Sequence, residues 1–251
     1  MNVLVCVKRV PDVSGEVLLT ADGRSVDARH VGFTMSPHEE CAVELATQIA
    51  ESTAGTATVL TVGPADSVEQ LRTALAIGCS SAILVEADPE TYGPADIAAE
   101  IAAVVRDREV DVILLGNDAA DTGDFQVPVR LAYALDRPVL TGISVCSVSG
   151  ETLTAQGDGP DGVETFEVPL PAVVAVLEGG VSPRYPSIVG RMKAKKAPIE
   201  TLAPSAQARG NGRVRLTVPP PRPGTVEILG HGAAAAPAVV DLLVSLQVVS
   251  P

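Results

Sequence analysis

Four loops that follow apolar stretches are the places where the chain could bind a ligand. They are residues 8–13 after the stretch that contains Cys6, residues 63–66 after Val62, the segment after Val85, and residues 116–126. In an open parallel sheet, the loops after the strands form the ligand crevice. Glycine in such a loop lets backbone N–H groups approach a phosphate, so the sequence indicates a nucleotide site. A tight strand-to-helix turn would give the same pattern, and no dinucleotide or Walker fingerprint is present.

No group of side chains has the spacing of a known catalytic centre. His38 and Glu39 stand at a predicted helix start, where an acid–base pair is one interpretation and an exposed capping segment is the favoured one. Asp118, Asp121 and Asp124 recur at every third position of a loop. A metal cluster would fit that spacing, but turn formation and helix capping explain it more simply.

Short apolar segments alternate with helical patterns from residue 1 to about residue 145. The clearest helix start follows Ser36, which can cap the helix, with Pro37 in the first helical position and Glu39 as the capping-box acid. Alternation of this kind predicts an α/β fold with an open, mostly parallel, doubly wound (Rossmann-like) sheet. The nucleotide site is therefore expected at the carboxyl ends of the strands.

The pattern changes in the second half of the chain. Four short strand patterns separated by Gly-rich turns occupy residues 139–148, 152–155, 164–168 and 172–177. They predict β-hairpins added to the sheet or to its edge. Residues 201–225 are rich in Pro, Gly, Ser and Ala and predict an arm or linker. The apolar segment 239–249 predicts a tail helix that packs on this chain or on a partner.

Composition narrows the functional classes. The formal net charge of −13 argues against a nucleic-acid partner, because phosphate contacts need Lys and Arg. Apolar residues make up 46% of the chain, but no apolar run has membrane-spanning length, so membrane insertion is not expected. The four cysteines form no CxxC pair and are interpreted as core residues in a reducing compartment. With no secretion signal at the N-terminus, a cytoplasmic location is expected.

Four segments, taken in order, resemble the electron transfer flavoprotein beta-subunit family. They are Val-Lys-Arg-Val-Pro-Asp at 7–12, the helix start at 36–44, Gly-Pro-Ala and the following helix at 63–78, and the segment 183–200. The last segment reads Pro-Arg-Tyr-Pro-Ser-Ile and then Met-Lys-Ala-Lys-Lys, which is a long and specific match. The resemblance covers residues 1 to about 200.

The resemblance implies an electron carrier rather than a self-sufficient enzyme. In this family an alpha and a beta subunit form a heterodimer with one FAD, which the alpha subunit mainly holds. Flavin-dependent dehydrogenases reduce the flavin, and a quinone oxidoreductase or a similar acceptor oxidises it. The beta subunit typically holds AMP, and in electron-bifurcating relatives a second FAD takes the place of AMP.

The resemblance also assigns site residues and domains. Val13 and His38 fall where the family places residues near the FAD of the alpha subunit. Residues 1–200 would form the nucleotide-binding domain, and residues 201–251 an arm and tail that contact the alpha subunit. The residues assigned to nucleotide binding are Cys6, Ser36, Pro37, His38, Glu39, Val62, Gly116, Asp121, Gly123, Asp124, Phe125, Gln126 and Val127. The partner-recognition loop would be 183–196, with Pro183, Arg184, Tyr185, Ile188 (in place of the family's protruding leucine), Met192, Lys193, Lys195 and Lys196.

Three positions depart from the family pattern. Ser36 replaces the usual Asn, Asp124 places a carboxylate where a hydroxyl is usual, and Pro128 removes a backbone donor. These departures bear on how AMP is bound, not on the fold.

Two other functions are disfavoured because the motifs they require are missing. A stand-alone adenylate-binding sensor would need a glycine phosphate motif late in the domain, and the sequence has none there. A nucleotide alpha-hydrolase would need Ser-Gly-Gly after the first strand, where Lys-Arg-Val-Pro stands at 8–11.

Overall fold

A computed structural model describes residues 1–12, 17–27, 29, 31–210, 215–220, 224 and 226–249. The chain divides into two compact units, Met1–Thr217 and Val218–Pro251. The first unit has the predicted α/β fold, which the arrangement of its strands and helices confirms. Val13, one of the residues assigned to the flavin, lies outside the described residues.

Within the described residues, the first unit is built on one large sheet and one small two-stranded ribbon. The order in the sheet is β11-β5-β4-β1-β6-β10-β7-β8-β9, while β2 and β3 form the ribbon. Neighbours from β11 to β7 are parallel, and the β7–β8 and β8–β9 pairs are antiparallel. The strands are β1 (Asn2–Cys6), β2 (Val10–Pro11), β3 (Phe33–Thr34), β4 (Thr56–Gly63), β5 (Ser81–Glu86), β6 (Val112–Gly116), β7 (Val139–Ser149), β8 (Thr152–Gly159), β9 (Gly162–Pro169), β10 (Ala172–Val176) and β11 (Glu200–Leu202).

Helices cover both faces of the sheet. Val3 and Val5 of β1 pack in the core with α1 and α2, while Leu4 and Cys6 pack with α3 and α4 on the other face. Successive side chains of a strand point to opposite faces, so an unbroken apolar strand needs this double cover. The helices are α1 (Pro37–Ser52), α2 (Val68–Ile77), α3 (Pro94–Arg106), α4 (Val127–Leu135), α5 (Ile188–Lys196) and α6 (Ala236–Ser245).

Two of the predicted added hairpins are present, but the last predicted strand lies elsewhere. β7, β8 and β9 extend the sheet at one edge, as expected. β10 instead lies between β6 and β7 and is parallel to both. All five of its residues are buried. Its unbroken apolar sequence is typical of a central parallel strand, which explains the difference from the hairpin expectation.

The start of the predicted arm packs on the first unit. β11 pairs with β5 as a parallel edge strand. Beyond it, the backbone N–H groups of Ser205 and Ala206 donate to the Glu100 carboxylate at 2.7 and 3.2 Å, and those of Arg209 and Gly210 donate to Asp96 at 3.0 and 3.1 Å. These carboxylates lie on α3, so the chain from 200 to 210 follows that helix.

The second unit contains α6, which begins after a 3-10 turn at Gly232–Ala235. None of the described residues of α6 is buried, although Val239, Val240 and Leu242 are large and apolar. Within the described residues, no helix is both long and apolar enough to cross a membrane.

Candidate functional site

A cavity of about 570 Å³ opens at the carboxyl ends of β1, β4 and β6. From β1 the chain runs to β4 and β5 on one side and returns to β6 on the other side. The cavity therefore lies where the strand order reverses, which is where open α/β sheets bind ligands. Its volume is within the range of about 300–1,000 Å³ for small-molecule sites.

Aromatic residues are concentrated around this cavity. The chain has three Phe and three Tyr, and three of these six, Phe33, Tyr92 and Phe125, line the cavity. The aliphatic residues Leu60, Ile97, Ile101 and Leu115 complete much of the apolar wall. A cavity with this lining suits a flat ring system, because apolar walls exclude water from both faces of a ring.

The start of α1 forms one polar wall of the cavity. Ser36 Oγ accepts the backbone N–H of Glu39 at 3.3 Å, and the Glu39 carboxylate accepts the N–H of Ser36 at 2.9 Å, so the predicted capping box is confirmed. Glu39 also accepts the N–H of Lys8 at 2.8 Å. The expectation of exposure was wrong for Glu39, which is buried. Burial raises its pKa to about 7, although the hydrogen bonds from Ser36 and Lys8 oppose the rise.

Gly116 brings the end of β6 against this same helix start. A Cβ atom at Gly116 would lie 3.0 Å from Glu39 Cγ and 3.3 Å from His38 Cβ, so a larger residue would push the two segments apart. His38 Nδ1 lies 2.9 Å from Asp118 Oδ1, but the two atoms are not aligned as a hydrogen bond within the described structure. The contact is therefore an ion pair only when the imidazole is protonated.

Both cationic side chains of the cavity already have neighbours. Lys8 Nζ contacts Asp121 Oδ1 at 2.6 Å. The Arg9 guanidinium lies 3.4 Å from the centre of the Phe33 ring, a cation–π contact. Across the part of the chain that the structure describes, no group of His, Cys, Asp or Glu could hold a metal ion. Asp121 thus pairs with Lys8, and Asp118 lies beside His38.

Asp124 lies in the cavity wall just before α4. Its Oδ1 is buried and has no hydrogen-bond partner among the described residues. No described side chain caps α4, whose first turn contains Pro128. The predicted capping role of Asp124 is therefore not observed. Phe125 has φ +50°, a left-handed conformation that strains a bulky residue, and its side chain is 57% exposed.

The structure brings together most of the residues assigned to nucleotide binding. Ser36, Pro37, His38 and Gly123 belong to the same two segments but do not line the cavity, among the residues described. Sequence reasoning missed Phe33, Tyr92 and Leu216, which do line it. Tyr92 itself was not named, although it lies in the segment after Val85 that the sequence marked as a candidate ligand loop, and no signal in the sequence pointed to Leu216. The assigned residues that line it are Cys6, Glu39, Val62, Gly116, Asp121, Asp124, Phe125, Gln126 and Val127.

A second candidate site is the exposed surface that α5 presents. The expected loop at 183–196 contains a helix, because Ser187 Oγ caps α5 by accepting the N–H of Gly190 at 2.9 Å. Tyr185 is 94% exposed and Ile188 is 80% exposed, and Met192 lies on the same helix. Lys193, Lys195 and Lys196 follow in its last turn, where cations also favour the helix dipole. Apolar anchors beside polar groups are typical of a protein-binding hot spot.

Pro183 and Arg184 of the same segment are both half-buried, unlike Tyr185 and Ile188. The Arg184 guanidinium lies against α1, where it contacts the carboxylates of Glu44 at 2.9 Å and Glu51 at 2.7 Å.

Comparison with known proteins gives a consistent family. The model of the electron transfer flavoprotein domain matches residues 25–207. The chain is 37% identical over 204 residues to the electron transfer flavoprotein subunit beta of Bacillus subtilis (strain 168), which covers 80% of this chain and 79% of that protein. It is 34% identical over 229 residues to the subunit of the same name from Syntrophomonas wolfei, covering 91% and 90%. For the human subunit the identity is 35% over 208 residues, covering 81% and 82%.

Proposed function

This chain belongs to the electron transfer flavoprotein family as a beta subunit, and we propose that it shares one FAD with an alpha subunit and holds AMP in its own cavity. The beta subunits of this family are electron carriers. FAD, when bound, supplies the electron-transfer chemistry. The observation that carries the proposal is the cavity at the reversal of strand order, which is lined by most of the residues that the family resemblance assigns to a nucleotide.

The lining of the cavity supports AMP as its ligand. Apolar side chains from β4 and α3, together with the rings of Phe33, Tyr92 and Phe125, suit the adenine ring. The uncapped first turn of α4, among the described residues, leaves backbone N–H groups available to a phosphate, as helix N-termini commonly do. Asp124 and Pro128 weaken this end of the site, so AMP is expected to bind less tightly than in relatives with Thr at position 124. His38 would lie toward the FAD of the alpha subunit.

Electron delivery is assigned to the surface of α5. Flavin-dependent dehydrogenases would dock there through Ile188 and its apolar neighbours, with Lys193, Lys195 and Lys196 binding acidic groups of the partner. A quinone oxidoreductase or a similar acceptor would take the electrons. The chain itself would act as a carrier and not as an enzyme, in the cytoplasm.

The tail is assigned to the alpha subunit. α6 carries three exposed apolar side chains, Val239, Val240 and Leu242. Several exposed apolar side chains on one short helix are typical of a surface that a partner protein covers. Residues 205–210 of the predicted arm pack on α3 of this chain. We therefore assign the alpha-subunit contact chiefly to residues 218–251.

Co-expression with the alpha subunit tests the proposal. The chain purified alone should bind FAD weakly, and the heterodimer should have a flavin absorption spectrum. Denaturing the heterodimer and separating the released nucleotides should yield one FAD and up to one AMP per heterodimer. Tight, stoichiometric FAD on the isolated chain would contradict the shared site. Two FAD per heterodimer would instead assign the cavity to a second flavin, as in bifurcating relatives.

A further inference from the structure

Arg184 stands beside the exposed apolar residues of α5, but its guanidinium contacts α1. Nε donates to Glu44 Oε2 at 2.9 Å and Nη2 donates to Glu44 Oε1 at 2.9 Å, which is a bidentate pair. Nη1 donates to Glu51 Oε1 at 2.7 Å, and Nη2 to Glu51 Oε2 at 3.1 Å. The backbone N–H of Arg184 also donates to Glu44, at 3.1 Å. The residue therefore joins the segment before α5 to the middle and the end of α1.

The acceptor of these bonds is buried within the protein. The Glu44 side chain is only 4% exposed, and Gln48 Nε2 donates to its Oε1 at 2.7 Å. Burial raises the pKa of this carboxyl, but the hydrogen bonds from Arg184 and Gln48 outweigh that effect and hold it below its ordinary value. A buried charge of this kind depends on its partner, because losing the partner leaves the charge desolvated and unpaired. The pair therefore has one preferred geometry.

Other contacts fix the chain on either side of Arg184. Gly180 lies so close to the backbone of Ser144 that a Cβ atom would stand 2.0 Å from the Ser144 carbonyl oxygen. Beyond Arg184, a Cβ atom at Gly190 would stand 2.5 Å from the carbonyl oxygen of Ala76, so α5 packs closely on the end of α2. Between these two close approaches, the charge-assisted hydrogen bonds from Arg184 join the segment to α1.

We propose that Arg184 is a positioning residue for partner docking, which holds the chain on α1 so that Tyr185, Ile188 and Met192 are presented in one arrangement. The inference rests on the docking role proposed above for α5. A binding surface that is ordered before the partner arrives avoids the entropy cost of ordering it during binding. If the arrangement were populated only part of the time, the apparent affinity would fall by that fraction.

The test uses the purified heterodimer and substitutions on both sides of the pair. Arg184→Gln removes the guanidinium. Glu44→Gln removes the negative charge of the buried carboxylate and one of its two acceptor oxygens, and this side chain is too deep to contact a partner protein. Arg184→Lys keeps the positive charge but cannot form the bidentate pair, and it replaces Arg184→Gln in the test if that variant does not fold. Arg108→Gln is the matched control, because it breaks the Arg108–Glu200 ion pair at the β11 edge.

Two readouts separate positioning from general destabilisation. The first is steady-state reduction by a flavin-dependent dehydrogenase that reduces the wild-type heterodimer, with dithionite as a reductant that needs no docking. We expect KM for the dehydrogenase to rise about tenfold in Arg184→Gln and in Glu44→Gln, with kcat and dithionite reduction unchanged. The second is hydrogen exchange of the amides in 185–191, which should become faster in the same two variants and not in Arg108→Gln.

Each alternative result overturns a defined part of the inference. A raised KM in Arg184→Gln with a wild-type KM in Glu44→Gln would mean that Arg184 contacts the dehydrogenase directly. Unchanged exchange of 185–191 in both variants would mean that the pair does not order the segment. If no flavin-dependent dehydrogenase reduces the wild-type heterodimer, the proposed docking function fails, and this inference fails with it.

Discussion

Replacing Asp124 by Thr should tighten AMP binding, and the structure gives the reason. Asp124 lines the cavity just before α4, with its Oδ1 buried and without a hydrogen-bond partner among the described residues. A phosphate bound by the first turn of α4 would lie close to this carboxylate. Thr would replace the negative charge with a hydroxyl group, which can donate a hydrogen bond to a phosphate oxygen.

The size of the effect follows from the charge that is removed. Two unit charges about 4 Å apart repel by about 4 kcal/mol at an effective dielectric of about 20. That energy corresponds to roughly a thousandfold in Kd, since about 1.4 kcal/mol is tenfold. The carboxylate can rotate away from the ligand, and this response reduces the repulsion. We therefore expect Asp124→Thr to lower the Kd for AMP by between about 10-fold and 1,000-fold.

Calorimetry on heterodimers stripped of nucleotide measures this change directly. Asp124→Asn should reproduce most of the gain, because it removes the charge and keeps the shape. Asp161→Asn is the control, since it removes the same charge from the exposed turn between β8 and β9. Equal affinities in wild type, Asp124→Thr and Asp124→Asn would refute the reasoning. So would one AMP that remains on the wild-type heterodimer through long dialysis.

Three further predictions concern the same surfaces. The folded-state pKa of Glu39, about 7, exceeds its ordinary value of 4.5, so its contribution to stability is complete below pH 4.5 and is lost as the pH rises through 7. Urea unfolding should therefore show a loss of up to about 3 kcal/mol between pH 4.5 and 8, which Glu39→Gln should lack; parallel curves for both would contradict it. Phe125→Gly should be more stable than Phe125→Ala by about 1 kcal/mol in thermal unfolding, since only glycine accepts φ +50° without strain; the reverse order would disprove strain. Ile188→Ala should slow reduction by the partner dehydrogenase and leave the flavin spectrum and the heterodimer intact, whereas unchanged transfer kinetics would remove Ile188 from the docking surface.

The sequence predicted the fold class well because its signals are local. The capping box at Ser36 and Glu39 depends on residues three apart, and the structure confirms it. The position of β10 depends on strand order, which local patterns do not contain. Its five apolar residues fit a central parallel strand as well as a hairpin strand, and only packing against β6 and β7 decides between them.

The cavity was predictable in part for the same reason. Loops after strands mark the crevice, so Cys6, Val62 and Gly116 could be identified in advance. The burial of Glu39 could not be predicted from the sequence, because it depends on the close approach of Gly116 on β6 to the start of α1. Leu216 reaches the cavity after the chain has followed α3, a path that the Pro- and Gly-rich sequence does not encode.

Helix α1 connects the two candidate sites physically. Its first turn, with Glu39, forms a wall of the cavity, and Glu44 and Glu51 farther along hold the segment that precedes α5. The helix has 16 residues, so at 1.5 Å per residue it spans about 24 Å. A buried helix of that length does not bend easily, because one face is packed in the core. The spacing between the cavity and the segment before α5 is therefore set by one rigid element.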